Sequence, residues 1–303
     1  MIRSGIPNQV EPFCADGGPV GVLFCHGFTG SPASLRPWAQ AVADAGFTVR
    51  LPRLPGHGTT VHAANQTAWP DWYDRVEREY VRLSRRCAQV FVFGLSMGGC
   101  LALRLAQVHN GRKGADIDHS SPSGNTSHVG ITSNTSHGSD RDRSGGLPVA
   151  GLVLVNPAVT VADRRLVALP LIRRLAESSP GIGNDIAAPG VSEQGYARVP
   201  HNALHSMLAM MKIVRAHMPE VTAPMLLFRS VNDHVVGPQS APLILGGVTS
   251  AVVRERLLTR SFHVATLDYE ADEIAAESIE FLHTYSQPPV ATGAVSARQG
   301  AGP

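Results

Sequence analysis

Ser96 stands in Gly94-Leu95-Ser96-Met97-Gly98, after the apolar run Gln89–Phe93 and before a small-residue-rich helical pattern, Met97–Val108. A serine at such a strand-to-helix turn is held on a strained bend with its hydroxyl exposed, and the flanking glycines let crowded backbones pass. The helix N-terminus also favours the negative charge that develops during acyl transfer. The bare pattern arises by chance and would equally describe a glycine-rich turn with an N-capping serine. A strand before it and a helix after it make it the seat of a nucleophile.

A serine hydroxyl is a poor nucleophile without a base. Around such elbows the partners follow in the order acid, then histidine, on loops after late strands. Asp233, in Asn232-Asp233-His234, comes just past the apolar segment Ala223–Phe228, and His263, in Ser261-Phe262-His263-Val264, just past Val252–Leu258. His234 adjoins Asp233 and points elsewhere on an extended loop. His283 falls in the final helical pattern, and Asp268 and Asp272 read as residues leading that helix. An oxyanion needs two donors. The backbone N–H of Met97 is one, and that of Phe28, in the loop His26-Gly27-Phe28-Thr29-Gly30, is the other candidate. His26 precedes the serine and suits bracing of that loop, as does His57 in the turn Leu54–Gly58.

These residues need a scaffold that brings late loops back to Ser96. Val20–Cys25, Phe47–Leu51, Gln89–Phe93, Val149–Val155, Ala223–Phe228 and Val252–Leu258 read as strands. Ser31–Ala45, Asp71–Arg86, Met97–Val108 and Glu270–Tyr285 read as helices between or after them. Strands alternating with helices argue for an α/β fold: a mostly parallel sheet flanked by helices. Residues 1–157 and 221–286 would form this core. Ala158–Glu220 reads as helical without strands, a small lid inserted over the sheet. Gly111–Gly146, rich in Ser, Gly, Asn, Asp and His, reads as a disordered insertion, and Gln287–Pro303 as a disordered Pro/Gly/Ala tail. The insertion's histidines (His119, His128, His137) recur every nine residues, the last two each closing an Asn-Thr-Ser-His, and repeat expansion explains the spacing more simply than metal binding.

The chain has 303 residues, 43% of them hydrophobic, and a net charge of +2. That suits one large domain, and without a dense Lys/Arg run nucleic acid is not expected as a partner. The N-terminus lacks a signal-peptide pattern and no apolar run reaches the length of a membrane span, so a cytoplasmic, soluble protein without stable membrane insertion is expected. Asn125 and Asn134 match the glycosylation pattern but would not meet that machinery there. Cys14, Cys25, Cys87 and Cys100 show no metal-binding spacing and read as free thiols. Neither metal nor organic cofactor is required by the chemistry above.

With these residues placed, the sequence resembles the bacterial carboxylesterase and monoacylglycerol lipase family of α/β-hydrolases. The resemblance rests on His26–Gly30, Gly56-His57-Gly58, Trp69–Trp72, Gly94–Gly99, Asp233–Val236 and Ser261–Asp268, which occur in the family's order within a resemblance that covers residues 20 to 285. It implies a Ser96–Asp233–His263 triad, the Phe28 and Met97 amides as oxyanion hole, and a small helical lid. The implied substrate is a small carboxylic ester, either a short- to medium-chain acyl ester or a monoacylglycerol. An acyltransferase or a carbon–carbon bond hydrolase on the same fold would keep the same triad. A catalytically silent binding protein is the reading from another class, and such proteins usually lack a triad member.

The insertion interrupts the family's quick passage from helix to strand, and the lid offers few residues to match. Within the lid, Met207, Met210 and Met211 lie in a segment apolar nearly all round. They fit two roles, the wall of an acyl-chain pocket or the packing of lid onto core. Oligomeric state has no signature in the sequence.

Loop-closure cost varies only slowly with loop length. Replacing Gly111–Gly146 by a short glycine linker is therefore expected to leave melting temperature and ester turnover nearly unchanged. A large fall in melting temperature would show that the segment is folded and packed.

Overall fold

The computed structural model of the chain describes residues 10–111, 146–161 and 163–286. The tail from Gln287 and all of the expected insertion except Gly111 and Gly146 lie outside the described residues. Seven strands form one sheet in the order β1-β3-β2-β4-β5-β8-β9. They are β1 (Phe13–Ala15), β2 (Val20–Cys25), β3 (Thr48–Leu51), β4 (Gln89–Leu95), β5 (Val149–Val155), β8 (Met225–Ser230) and β9 (Val253–Leu258). Only β1 runs antiparallel to its neighbour; the other pairings are parallel.

The central strands read as continuous apolar runs because both faces are covered, as parallel sheets require. Leu23, Cys25, Val90, Val92, Leu152, Leu154 and Leu227 point to one core. Their alternates Phe24, Phe91, Phe93, Val153 and Phe228 point to the other. The helices α3 (Trp69–Ser84), α4 (Met97–Asn110) and α6 (His201–Ala216) pack on the first face, with Trp72 and Tyr80 fully buried. The second face is covered by α1 (Arg36–Asp44) and α8 (Ala271–Tyr285), where Trp38 meets Phe24 at 5.2 Å and stacks on Phe93 at 5.1 Å. Edge strand β9 is the exception to apolar strands. Arg254 and Arg256 pair with Glu277 of α8, and Glu255 with Arg229, so charge guards the open edge.

Helix α3 starts at Trp69, two residues before its expected start at Asp71. Pro70 sits in the first turn, where its missing N–H is no loss, and the Asp71 carboxylate accepts the Ala68 N–H at 2.8 Å. Helix α4 extends to Asn110, whose side chain grips the start of β5: Val149 N donates to its Oδ1 at 2.7 Å and its Nδ2 donates to Val149 O at 3.2 Å. The two ends of the 111–146 segment are thereby clamped together.

The segment from Ala158 to Glu220 differs from the strand-free expectation. Besides α5 (Leu169–Leu175) and α6 it contains β6 (Ser178–Pro180) and β7 (Arg198–Pro200), paired antiparallel in a separate small sheet. Each strand is three residues long and carries no alternating pattern, so sequence periodicity could not reveal it. Two further short helices, α2 (Val61–Asn65) and α7 (Ser240–Leu245), complete the fold.

Candidate active site

Strand β4 and helix α4 meet at Ser96, whose φ of 56° and ψ of −119° lie in a region that residues with a Cβ seldom enter. The conformation is enforced from both sides. Ser96 N donates to Val155 O at 3.0 Å, and Ala158 N donates to Ser96 O at 3.0 Å. Glycine is obligatory on either flank: a Cβ at Gly98 would sit 1.8 Å from Cys25 O, and one at Gly94 2.4 Å from Gly98 O. Across the gap, Gly27 brings its backbone against the nucleophile, with a Cβ there falling 3.4 Å from Ser96 Cβ. Met97 opens α4, so its N–H has no acceptor within the helix. Phe28, next to Gly27, lines a cavity that Ser96 also lines.

The loop after β8 carries Asp233 and the loop after β9 carries His263. Asp233 Oδ1 accepts the amides of Val235 and Val236, each at 2.8 Å, which fixes the carboxylate. Its Oδ2 lies 2.8 Å from His263 Nδ1, with both side chains under a tenth exposed. A carboxylate can only accept, so Nδ1 carries a proton, and in the neutral imidazole Nε2 then presents its lone pair. Ser96 and His263 both line a cavity of about 170 Å3. His234 turns away to Asp185, 2.8 Å from its Nδ1, and His283 packs against Phe47.

The His263 loop is held by three carboxylates, of which the sequence pointed only to Asp268, and to that as a residue leading the last helix. Glu270 accepts the amides of Thr259, Arg260 and Ser261 at 3.0–3.1 Å. Asp268 Oδ2 accepts Phe262 N at 2.9 Å, and Asp185 Oδ2 accepts His263 N at 3.1 Å. Five consecutive amides thus end on three buried acids. Burial pushes the Glu270 carboxyl up, but the Ser261 hydroxyl and the amides outweigh it and leave its pKa below the ordinary value. Asp268 also accepts Ala187 N and Ala188 N, so its role exceeds leading the last helix. From the carbonyl side, Asn156 (φ 44°) donates to His263 O at 2.7 Å and to Ser230 Oγ at 2.9 Å.

His26 and His57 are buried and neutral. Burial pushes their pKa values down to about 3 and about 4. His26 Nε2 accepts Leu54 N at 3.1 Å, bracing the glycine turn against the loop that carries Phe28.

The three methionines of α6 divide. Met207 and Met211, one turn apart, line the cavity over Ser96 with Val161, Val199 and Val235. Met210 does not: it is fully buried on the adjoining stripe with Ala203 and Val214, in the core under the sheet. Of the two roles open to it, Met210 takes the packing of lid onto core, which corrects its place among the candidate pocket residues. A helix apolar nearly all round gives no sequence signal for which stripe faces which neighbour. Met207 also borders a wider cleft of about 1010 Å3 lined by Leu166, Leu169, Ile172 and Leu204. Glu193, which no local sequence pattern marks, also lines the cavity over Ser96, and burial pushes its pKa up to about 7.

An elbow serine, a carboxylate-bound histidine and a helix N-terminus on one cavity define a class of enzyme. The chain belongs to the alpha/beta hydrolase family, whose sequence pattern matches residues 22–278. It is 38% identical over 276 residues to a thermostable monoacylglycerol lipase of Bacillus sp. (strain H-257), covering 90% of this chain and 94% of the relative. A carboxylesterase of Bacillus subtilis (strain 168) is 23% identical over 273 residues, covering 90% of this chain and 96% of that protein. Among solved structures, one described under two metagenome-derived lipolytic enzymes, LipS and LipT, superposes with a TM-score of 0.77 at 32% identity. That match covers 92% of this chain and all of the other.

Two outcomes follow from the cavity walls. Between the ordinary carboxyl value of 4.5 and about 7, the folded chain keeps a proton on Glu193 that the unfolded chain has released, so this group's contribution to stability falls as pH rises through that window. Glu193→Gln removes the slope. The melting temperature of the variant relative to the wild type should therefore rise from pH 5 to pH 8. Met210→Ala, by contrast, is expected to cost about 2–5 kcal/mol of stability without changing acyl-chain preference, as denaturant unfolding and an ester chain-length series would show.

Proposed function

We propose that the chain hydrolyses carboxylic esters by acyl transfer through Ser96, with short- to medium-chain acyl esters and monoacylglycerols as substrates. The observation that carries this reading is the His263 Nδ1–Asp233 Oδ2 bond of 2.8 Å beside an elbow serine on the same cavity. His263 Nε2 takes the Ser96 proton as Oγ attacks the ester carbonyl, and the Phe28 and Met97 amides receive the developing oxyanion. The same imidazolium then protonates the departing alcohol, leaving an acyl-serine. Water enters, His263 takes its proton, the acyl–Oγ bond breaks, and the acid departs as Ser96 is reprotonated.

The monoacylglycerol part of the reading is supported by the 38%-identical relative and by the character of the cavity. Val161, Val199, Met207 and Met211 offer an acyl chain an apolar wall, and Glu193 offers a polar partner to the hydroxyls that a glycerol group retains. Among the described residues no helix is long and apolar enough to cross a membrane. A cytoplasmic location stays part of this proposal.

Ser96→Ala should fold normally, lose turnover of p-nitrophenyl esters and of a medium-chain monoacylglycerol, and resist fluorophosphonate labelling. Asp233→Asn should keep the fold but lose kcat on the order of 10³–10⁴-fold, because the amide favours the wrong imidazole tautomer. Labelling of a different serine in the wild type would refute the nucleophile assignment. Met211→Ala should shift the chain-length optimum across C2 to C12 esters, since each buried methylene is worth about 0.8 kcal/mol.

A further inference from the structure

We propose that Asp185, a residue of the lid segment, is a positioning residue that holds the two loops carrying His263 and Asp233 in register. The inference rests on the triad reading above and adds a fourth side chain to it. Asp185 is buried, although it lies in the long connection between β6 and β7. Its Oδ2 accepts His263 N at 3.1 Å and His234 N at 3.2 Å, its Oδ1 takes His234 Nδ1 at 2.8 Å, and its own carbonyl accepts Val264 N at 3.1 Å. One carboxylate therefore binds the backbone of the base itself and the backbone of the residue next to the acid.

The other anchors of the His263 loop do not do this. Glu270 and Asp268 follow His263 by a few residues and tie the loop to its own continuation and, for Asp268, to the lid backbone. Asn156 ties the His263 carbonyl to the ends of β5 and β8. Of these four groups only Asp185 bonds to both loops, so it closes a ring with the His263–Asp233 bond. Its partners lie 49 and 78 residues along the chain, which is why no local pattern announces it.

The ring has a chemical consequence. A general base must keep its lone pair within hydrogen-bond reach of the serine proton, and misplacement by about 1 Å can cost 10²-fold in rate. Removing the shared acceptor lets the two loops shift relative to each other. It also leaves the buried His263 amide, the partly buried His234 amide and a histidine N–H without their partner. Because Asp185 belongs to the lid, the segment that walls the acyl pocket and the geometry of the base become a single mechanical unit.

Asp185→Asn conserves volume but turns an NH2 toward donors that need an acceptor, and Asp185→Glu keeps the charge but lengthens the link. Both would be assayed well below their own melting temperatures, with kcat expressed per active site titrated by a fluorophosphonate. Each variant is expected to lose about 10–100-fold in kcat, with KM for p-nitrophenyl acetate within two-fold of wild type. The fluorophosphonate inactivation rate should fall by the same factor. His234→Ala, which removes the Oδ1 bond and the ring contact with Phe262 but keeps both backbone bonds to Oδ2, should lose less than three-fold.

If both Asp185 variants keep wild-type kcat per titrated site, or if neither folds, the carboxylate belongs to the fold rather than to catalytic geometry and the inference is overturned. Ser96→Ala serves as the separate control. Activity surviving in Ser96→Ala would sink the triad reading itself, whereas a dead Ser96→Ala beside unaffected Asp185 variants would sink only the present inference.

Discussion

The site depends on the first turn of α4 lying directly against the carbonyl edge of β2, so close that a methyl group at Gly98 would overlap Cys25 O. No helix can approach a strand that closely unless the chain reverses sharply at the strand's end, and the reversal is what puts Ser96 at a φ of 56°. The strain is tolerated because the neighbours over-determine it: β5 supplies an acceptor to Ser96 N, and Ala158 supplies a donor to Ser96 O. The same close approach sets the Gly27 backbone against Ser96, with Phe28 lining the same cavity. Register between β2 and β4, where Cys25 pairs with Gly94, therefore also sets the geometry of the site.

The second requirement is electrical. The His263 loop exposes a run of amides that a strand or helix would ordinarily satisfy, and burying them unpaired would be costly. Three acids take them up instead, and hydrogen bonds of this charge-assisted kind are short and directional. Negative charge that would be unwelcome in an apolar interior is tolerable here because each oxygen faces N–H groups. The outcome is a loop with the stiffness of regular structure but the shape of none, suited to holding an imidazole at one angle.

Much of this was legible in the sequence. Val20–Cys25 and Val149–Val155 occur as expected, since strands covered on both faces give uninterrupted apolar runs with clear ends. Gln89–Phe93 was read two residues short because Gly94 resembles a stop, whereas the strand pairs on to Leu95 opposite Val155. The elbow, the order of acid and histidine and the glycine turns are sequence signals, and on these the proposed roles of Ser96, Asp233, His263, Phe28 and Met97 rest. What sequence could not supply is pairing between distant segments. The hairpin of β6 and β7 joins three-residue pieces, Asp185 reaches loops far along the chain, and Met210 and Met211 are indistinguishable neighbours until the helix is docked.

The clamp between Asn110 and Val149 bears on how the chain could be divided. Among the described residues, that side-chain pair and the β4–β5 register hold α4 beside β5. A nick anywhere between the two clamped ends would leave two polypeptides sharing one sheet. Ser96 would lie on the first piece, and Asp233 and His263 on the second. Separately these fragments hold no complete site; reunited they rebuild one, which makes this junction a natural place to split the enzyme into complementing halves.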